Sequence, residues 1–274
     1  MPRPAKRAAS AAPDDLPGVS PFLQDGFHRF LRPFLRRHFH TIAVDRDSRP
    51  LTASIPTDEP VIVFGNHPSW WDPLIAHLLC QTWFPPRQFY APIDADALAK
   101  YPVFGKLGFF GVRVDTPSGA AVFLRTCRRL LESPQSSLWV TPEGRFADVR
   151  DDSAPLAPGL AHLCTRERRG FVLPLAMEYV FWEERLPECL IRFGEPLALA
   201  DHDWSKTSWQ ETLTARLRSN QAALAKRVIA RDSDAFEPVL TGSRGAGGFY
   251  DTFRRLRSWL SGSRFHAEHG DKFH

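Results

Sequence analysis

The sequence predicts an α/β fold: a single domain with a central mixed, mostly parallel sheet flanked by helices, and amphipathic helices at both ends of the chain. Three observations carry this prediction. Short apolar runs alternate with stretches of helical periodicity through the middle of the chain, which is the order typical of α/β sheets. Hydrophobic residues make up 43% and charged residues 24%, as in globular rather than disordered proteins. The 274 residues show no internal repeat and no clear second domain.

Buried strands are predicted where a short apolar run is bounded by turn residues. In chain order these runs are 40–44, 61–65, 109–114, 137–142, 171–181 and 189–193. The second and fourth runs lead directly into polar turns, NHPSWWDP and PEGRF. In open α/β sheets, active sites tend to lie at such carboxyl ends of strands, so we expect the candidate active-site residues in these two turns.

Helices are predicted where apolar residues recur with a period near 3.6. In chain order they are 22–39, 73–81, 119–132, 159–168, 207–230 and 249–260. Pro33 is expected to kink the first helix or divide it in two, and Ser69 or Asp72 is expected to cap the second. Ser208 and Glu211 form a capping box at the start of the long helix.

Charge and cysteine content narrow the class of protein. The net charge is +4, with the positive excess at the two ends and a net −3 over residues 41–240. This acidic middle and the lack of a helix-turn-helix or zinc motif disfavour nucleic-acid binding.

The four cysteines are widely spaced and form no CxxC pair, so we expect them to be small buried hydrophobic residues of a protein in a reducing compartment. No run approaches the ~18 apolar residues that span a bilayer, and we expect no signal peptide.

The turn NHPSWWDP holds a histidine and an aspartate five residues apart, His67 and Asp72. On a continuous strand this odd separation would put them on opposite faces, but across a turn into a helix they can meet. Asp72 would then accept the imidazole N–H and leave the other nitrogen as a base. The same spacing occurs at residues 40 and 45 and at residues 266 and 271, without this strand, turn and helix context. A surface histidine beside a helix-capping aspartate remains the alternative.

Two further segments offer groups that can hold an anion. In the turn PEGRF, Gly144 permits a tight bend that would expose Glu143 and Arg145, and a guanidinium suits a phosphate bidentately. A loop ion pair is the alternative for this arginine. Arg113 lies between two valines of a predicted strand and points either toward the same cleft or toward a partner such as Asp115.

Taken in order, these blocks resemble the lysophospholipid (glycerol-phosphate) acyltransferase family, which includes the bacterial 1-acylglycerol-3-phosphate acyltransferases. The likeness covers roughly residues 40–200. The matching residues are Asn66, His67 and Asp72 of an Asn-His-x4-Asp block, Pro142, Glu143 and Gly144 of a Pro-Glu-Gly block, the strand 172–175 with its central proline, and the segment 191–196. The family's Pro-Glu-Gly-Thr-Arg lacks its threonine here, because Arg145 directly follows Gly144. Arg113 is the nearest match to the family's second-block arginine.

The resemblance implies a membrane-peripheral acyltransferase. It would move a fatty acyl group from a thioester donor, acyl-CoA or acyl carrier protein, to a hydroxyl of a lysophospholipid or related glycerolipid. His67 is then the general base and Asp72 its orienting partner. The implied substrate-binding residues are Arg113, Glu143, Gly144 and Arg145. No nucleophile elbow is present, so no covalent acyl-enzyme is expected. We also expect no metal and no bound cofactor. Backbone N–H groups near Ser69 and Trp70 are candidate oxyanion donors.

Two alternatives stay open at this point: an acyl-thioester hydrolase and a catalytically silent lipid-binding protein. The basic helices at both ends suit the interface of an anionic leaflet, or else pack on the domain. The predicted organisation is a disordered tail at 1–20, a membrane-interface helix region at 21–39, the acyltransferase domain at 40–240 and a flexible basic amphipathic tail at 241–274. We expect the protein in the cytoplasm, peripheral on the inner face of the cell membrane.

Overall fold

The computed structural model describes residues 16–113 and 116–242, so the helix predicted at 249–260 lies outside the described residues. Nine strands in these ranges form one sheet. They are β1 Thr41–Asp45, β2 Val61–Gly65, β3 Gln88–Asp94, β4 Phe109–Val112, β5 Ser136–Val140, β6 Phe171–Val180, β7 Glu188–Phe193, β8 Leu197–Ala198 and β9 Phe236–Thr241. Their order across the sheet is β4-β3-β5-β2-β6-β7-β1-β9, and β8 pairs with the start of β6.

The sheet is mixed and mostly parallel, which confirms the predicted fold class. The five neighbouring strands from β4 to β6 run parallel to one another. Beyond them, β7 is antiparallel to β6, β1 is parallel to β7, and β9 is antiparallel to β1. Strands covered on both faces read as continuous apolar runs, and β1, β2 and β5 are buried at every position.

Eight α-helices of the described ranges cover the two faces of the sheet. They are α1 Pro21–His38, α2 Ser48–Ala53, α3 Asp72–Trp83, α4 Ala95–Lys100, α5 Val103–Lys106, α6 Pro117–Leu131, α7 Gly159–Arg166 and α8 Lys206–Ala230. Successive side chains of β2 point to opposite faces of the sheet, so the core has one part on each face. Val61 and Val63 pack with α1 and α3, whereas Ile62 and Phe64 pack with α6, α7 and α8. None of the described helices has the length and apolar character needed to cross a bilayer.

Three local details of the helices differ from the sequence-based expectation. Pro33 lies inside one helix and does not divide it, because Leu31 and Leu35 on either side are fully buried and tertiary packing maintains the helix. Ser205, not Ser208, caps α8, and its hydroxyl accepts the Ser208 N–H at 3.1 Å. No side chain caps α3, since the Asp72 carboxylate is engaged elsewhere.

The four cysteines are buried and unpaired, as predicted. Burial raises the pKa of the Cys80 and Cys164 thiols to about 12. These thiols therefore stay protonated at neutral pH and pack as small hydrophobes.

Candidate active site

The site is built on the turn between β2 and α3, at the carboxyl end of the parallel strands. Asn66 anchors this turn to β6 through two hydrogen bonds. Its Nδ2 donates to the Met177 carbonyl at 3.0 Å, and its Oδ1 accepts the Met177 N–H at 2.9 Å. The side-chain amide thus continues the backbone pairing one residue beyond the strand and fixes the position of the next residue, His67.

The structure brings His67 and Asp72 together across the turn. His67 Nδ1 lies 2.6 Å from Asp72 Oδ2, and the Asp72 side chain is only 3% exposed. Because a carboxylate only accepts hydrogen bonds, Nδ1 carries the proton and Nε2 is the nitrogen with a lone pair. This is the arrangement expected of a histidine base.

Two more donors hold the Asp72 carboxylate. The Ser69 N–H donates to Oδ2 at 3.1 Å, and the Tyr179 hydroxyl donates to Oδ1 at 2.6 Å. Tyr179 lies on β6, and burial raises the pKa of its phenol well above the usual range, so it stays a donor at any physiological pH. Both oxygens of the carboxylate are therefore fixed, and the imidazole orientation is fixed with them.

The Ser69 N–H, one of the candidate oxyanion donors, is already engaged by Asp72. This nearest backbone donor therefore serves the carboxylate and is not directed at a substrate. The prediction for Ser69 is wrong, because a carboxylate placed at the first turn of α3 takes up the nearest N–H itself.

Glu143 is buried, where the sequence predicted an exposed carboxylate. Its side chain is 1% exposed and forms an ion pair with Arg218 of α8, Oε1 to Nη1, at 2.8 Å. Its Oε2 accepts the backbone N–H of His67 at 3.2 Å. Both carboxylate oxygens thus contact protein groups, and Glu143 supports the backbone of the histidine.

The turn around Gly144 has the predicted tight geometry. Gly144 adopts a φ of +66°, in the left-handed region that favours glycine, and its N–H donates to the Thr141 carbonyl at 3.0 Å. Arg145 points away from the cavity, with a 55% exposed side chain that pairs with Asp151 at 3.3 Å. The alternative of a loop ion pair therefore describes this arginine. Phe146 follows it, and its ring centroid lies 4.4 Å from that of His67.

A cavity of about 750 Å³ opens at the His67–Asp72 pair. Its walls come from the five strands β2 to β6 and from α3, α6 and α7, and they are mostly apolar, with Val63, Phe89, Phe123, Trp139, Leu175 and Met177 among them. Gly144 and Arg113 also line it. Arg113 lies one residue beyond the end of β4, since the strand stops at Val112 and not at 114 as predicted. An apolar cavity with a few convergent polar groups is the usual form of a ligand site.

Of the predicted site residues, His67, Asp72, Arg113 and Gly144 share this cavity, whereas Glu143 lies behind it and Arg145 outside it. Sequence reasoning missed Tyr179 and Arg218. Tyr179 could have been predicted as a site residue, because the two-residue period of a strand places it on the same face of β6 as Leu175 and Met177. Within the described ranges, no group of three or more His, Cys, Asp or Glu side chains is arranged to hold a metal ion.

Comparison with known proteins agrees with the geometry. A family model described as Acyltransferase matches residues 51–178, which include the turn with His67 and the turn with Gly144. A search of curated proteins returned no match. Among solved structures, the chain is similar to the 1-acyl-sn-glycerophosphate (LPA) acyltransferase PlsC from Thermotoga maritima, with a TM-score of 0.53 and 14% identity. The alignment covers 75% of this chain and 81% of that one, and at this identity it shows the fold. The matched segment contains both motifs by which the sequence resembles acyltransferases.

Proposed function

We propose that this protein transfers a fatty acyl group from a thioester donor to a hydroxyl of a lysophospholipid or related glycerolipid. The observation that carries the proposal is the His67–Asp72 pair at the mouth of a 750 Å³ apolar cavity. An apolar cavity of this size suits an acyl chain, and the pair supplies a base beside its opening.

The proposed reaction is a direct transfer. The acceptor hydroxyl attacks the thioester carbonyl while His67 Nε2 takes its proton, and a tetrahedral intermediate forms. The carbon–sulfur bond then breaks, and the imidazolium returns the proton to the departing thiolate, giving an ester and a free thiol. General base catalysis of this kind contributes typically 10²–10⁴-fold. Asp72, held by Tyr179 and the Ser69 N–H, stabilises the imidazolium.

Arg113 is the candidate anchor for an anionic group of the acceptor. It lines the same cavity as His67, and a guanidinium binds a phosphate with parallel hydrogen bonds. Arg145, on the exposed rim, is the second candidate, but it would have to exchange Asp151 for the lipid. A lysophospholipid brings both a free hydroxyl and a phosphate, so it matches a site with a base and one arginine.

Exposed aromatic side chains lie on α1 and around the site, which supports membrane association. Phe22 and Phe30 of α1 are exposed, as are Trp70 and Phe146 beside His67. A ring-to-ring path connects the two groups, since Phe34 packs on Trp71 at 5.9 Å and Trp71 on Trp70 at 5.3 Å. With arginines interspersed along α1, this surface suits the interface of an anionic leaflet. We place the protein on the inner face of the cell membrane, with the site facing the lipid.

The direct test measures free-thiol release from palmitoyl-coenzyme A by the purified protein and by His67→Ala, with and without a panel of lysolipids. A second arm uses palmitoyl acyl carrier protein. Release that requires both His67 and one lysolipid supports transfer and identifies the acceptor class. Release that requires His67 but no lipid means a thioester hydrolase. No release with either donor means a silent lipid-binding protein.

Membrane association has its own test in vesicle sedimentation. We expect Phe22→Ser/Phe30→Ser to bind anionic vesicles at least about tenfold more weakly, because each buried phenyl ring contributes roughly 1.5–3 kcal/mol. Ile229→Ser is the matched control, since Ile229 is as exposed but lies near the end of α8. Equal binding by all three proteins excludes α1 as the membrane surface.

A further inference from the structure

Phe146 is an exposed aromatic residue that lies against the proposed base. Its ring centroid is 4.4 Å from that of His67, and the two ring planes are tilted by 39°, yet 58% of the residue remains accessible to solvent. The wall of the cavity of about 750 Å³ includes His67 and Gly144 but not Phe146. The phenyl ring therefore adds an apolar surface beside the imidazole that is separate from the cavity wall.

The backbone holds Phe146 in this position. The N–H of Ala147, the next residue, donates to the carbonyl of His67 itself at 3.0 Å. The turn that carries the ring is thus hydrogen-bonded to the turn that carries the imidazole. Arg145, the preceding residue, directs its guanidinium to Asp151 and not to the base. The side chain that this turn places beside the imidazole is a hydrocarbon ring.

Folding stability does not account for a ring fixed at this place. More than half of Phe146 stays in water, so the ring contributes only part of the stabilisation that full burial would give. A single exposed apolar residue is ordinary on a protein surface. Here, however, Trp70 is 65% exposed as well, and it follows His67 by three residues. Both turns that form the site thus present an exposed ring, and we call Trp70 and Phe146 the aromatic rim.

The proposed reaction brings two substrates with hydrocarbon chains to one base. The apolar cavity behind His67 suits the acyl chain of the donor, and its volume of about 750 Å³ is that of a site for one ligand. A monoacylated acceptor has a chain of its own, attached close to the hydroxyl that reacts. This second chain requires a second apolar surface beside the imidazole, and the aromatic rim supplies one.

The ring also disfavours negative charge next to the reacting hydroxyl. The face of a phenyl ring carries partial negative charge, so it does not attract a phosphate. Arg145 is already paired with Asp151 at 3.3 Å, outside the cavity. Arg113 therefore remains the candidate for an anionic group of the acceptor. The part of the acceptor that lies on Phe146 is hydrocarbon.

We propose that Phe146 is a specificity-determining residue of the acceptor site, where it binds the hydrocarbon chain of the acceptor beside the reacting hydroxyl. The acceptor class that follows is a monoacylated lipid and not a water-soluble polyol phosphate. This inference rests on the proposed function, because it assigns the acceptor side of the same base. The acceptor's chain leaves the site over Phe146 and Trp70, toward the leaflet that supplies the lipid.

The test compares acceptors that differ only in chain length. It uses 1-acyl lysophosphatidic acids and lysophosphatidylcholines with six, eight and ten acyl carbons, below their micelle concentrations and without vesicles, so that membrane binding does not contribute. The donor is lauroyl-coenzyme A or lauroyl acyl carrier protein. For the wild type we expect the acceptor KM to fall about tenfold from six to ten carbons, because each added methylene leaves water on the ring. Glycerol 3-phosphate, which has no chain, should be a far poorer acceptor.

The variants separate recognition by the ring from a structural role. Phe146→Ser should reduce the chain-length dependence to about threefold or less and leave the donor KM and kcat unchanged. Phe146→Leu should keep most of the dependence, because leucine retains an apolar surface. Ile229→Ser is the matched control, since it removes an exposed apolar side chain near the end of α8. Thermal melting should show all three variants folded.

A second readout needs no turnover. Calorimetry with decanoyl lysophosphatidic acid should show equal binding by the wild type and Ile229→Ser. Binding by Phe146→Ser should be about tenfold weaker.

Three outcomes overturn the assignment. They are an equal chain-length dependence in the wild type and Phe146→Ser, a lower kcat of Phe146→Ser with an unchanged acceptor KM, and transfer to glycerol 3-phosphate as fast as to the decanoyl lipid. The second would mean that the ring only supports the imidazole. Each of them leaves the proposed function standing when transfer requires His67. Lipid binding that depends on Phe146, without transfer from any donor, rejects the proposed function and leaves the ring as a lipid-binding surface.

Discussion

Tyr179 acts on the proposed base His67 through Asp72. Its hydroxyl donates to Asp72 Oδ1 at 2.6 Å, so it determines how the carboxylate faces His67. We predict that Tyr179→Phe lowers kcat about tenfold, since a hydrogen bond to a charged group contributes roughly 1.5–3 kcal/mol. The thiol-release assay measures this over a range of pH. We expect the pH profile of kcat to shift as well, which a purely structural residue would not cause.

Tyr90→Phe is the matched control for this prediction. Tyr90 lies on β3 and packs against the α6 side of the core, away from the Asp72 carboxylate. We expect it to leave kcat and its pH profile unchanged. A wild-type rate and profile for Tyr179→Phe would show that Asp72 is fixed without the phenol.

Glu143 has a structural role, although the sequence predicted it to be an exposed residue of a turn. Its ion pair with Arg218 is buried, with side-chain exposures of 1% and 15%. Removing one partner leaves the other charge uncompensated, so we predict that Glu143→Gln lowers the free energy of unfolding by about 3 kcal/mol. Urea denaturation measures this. The rate should fall as well, because the His67 N–H depends on the same carboxylate.

The surface pair of Arg216 and Glu195 supplies the comparison. Its atoms lie 2.5 Å apart, but Glu195 is 64% exposed. Glu195→Gln should change the free energy of unfolding by no more than about 1 kcal/mol. Equal losses for the two substitutions would contradict the reading of Glu143 as a buried support.

The separation in sequence between two contacting residues decided which site residues could be predicted. His67 and Asp72 are five residues apart, and a turn between strand and helix was enough to bring them together. Arg218 is 75 residues from Glu143, and its place at the site depends on α8 crossing the sheet. Nothing in the local pattern of α8 distinguishes Arg218 from the solvated arginines of the same helix. The burial of Glu143 was missed for the same reason.

Among the elements, α1 and α3 meet at a pair of buried histidines. His77 of α3 is 1% exposed, and neither ring nitrogen has a hydrogen-bond partner. The ring packs on Phe89 at 3.8 Å and lies 5.8 Å from His28 of α1. Burial, and secondarily the charge of His28, lowers the pKa of His77 to about 3. Burial also lowers the pKa of His28, against the opposing effect of Asp25.

This packing predicts acid sensitivity. The unfolded chain protonates His77 near pH 6.5, whereas the folded chain resists protonation until about pH 3. The unfolded state therefore binds more protons in this window, and the stability is lost as the pH falls through it. The loss from His77 approaches about 1.4 kcal/mol per pH unit. We predict that His77→Leu flattens the pH dependence of the free energy of unfolding between pH 6 and 4, measured by urea denaturation.

The control for His77→Leu is His38→Leu, at an exposed position of the same helix pair. That variant should keep the acid slope of the wild type. At neutral pH His77→Leu should be as stable as the wild type or more so, because it removes two unsatisfied buried nitrogens. An unchanged acid slope in His77→Leu would mean that α1 and α3 already separate before unfolding.

Two of the three strands that the sequence did not predict, β3 and β9, share a cause. β3 and β9 contain Pro92 and Pro238, and proline argues against a strand because it cannot donate to the ladder. β3 tolerates its proline because β5 pairs only with residues 88–90, so Pro92 has a neighbour on one side only. β9 is the edge strand, with an irregular register opposite Ile42 and Ala43. The strongly apolar inner strands were predicted with bounds close to those of the structure, including β6, whose apolar run outweighs its Pro174.

At the scale of the whole molecule, the cavity beside His67 is formed by the sheet and not by any one motif. Its walls combine five parallel strands with α3, α6 and α7, so its depth is set by side chains far apart in the sequence. Ala91 of β3 is one of its small wall residues and is 8% exposed. A larger side chain there would extend into the space that we assign to the acyl chain.

We predict that the graded series Ala91→Val, Ala91→Leu and Ala91→Phe shifts the preferred donor from palmitoyl toward shorter thioesters. Each added methylene occupies volume that the end of a long chain would fill, and a short chain loses nothing. The measurement is the ratio of kcat/KM for lauroyl- and palmitoyl-coenzyme A, in which a general loss of activity cancels. Overpacking costs roughly 1–3 kcal/mol in a filled core, but this wall borders a cavity, so thermal melting should show smaller losses. A constant ratio across the series would place the acyl chain elsewhere and leave the cavity to the acceptor lipid.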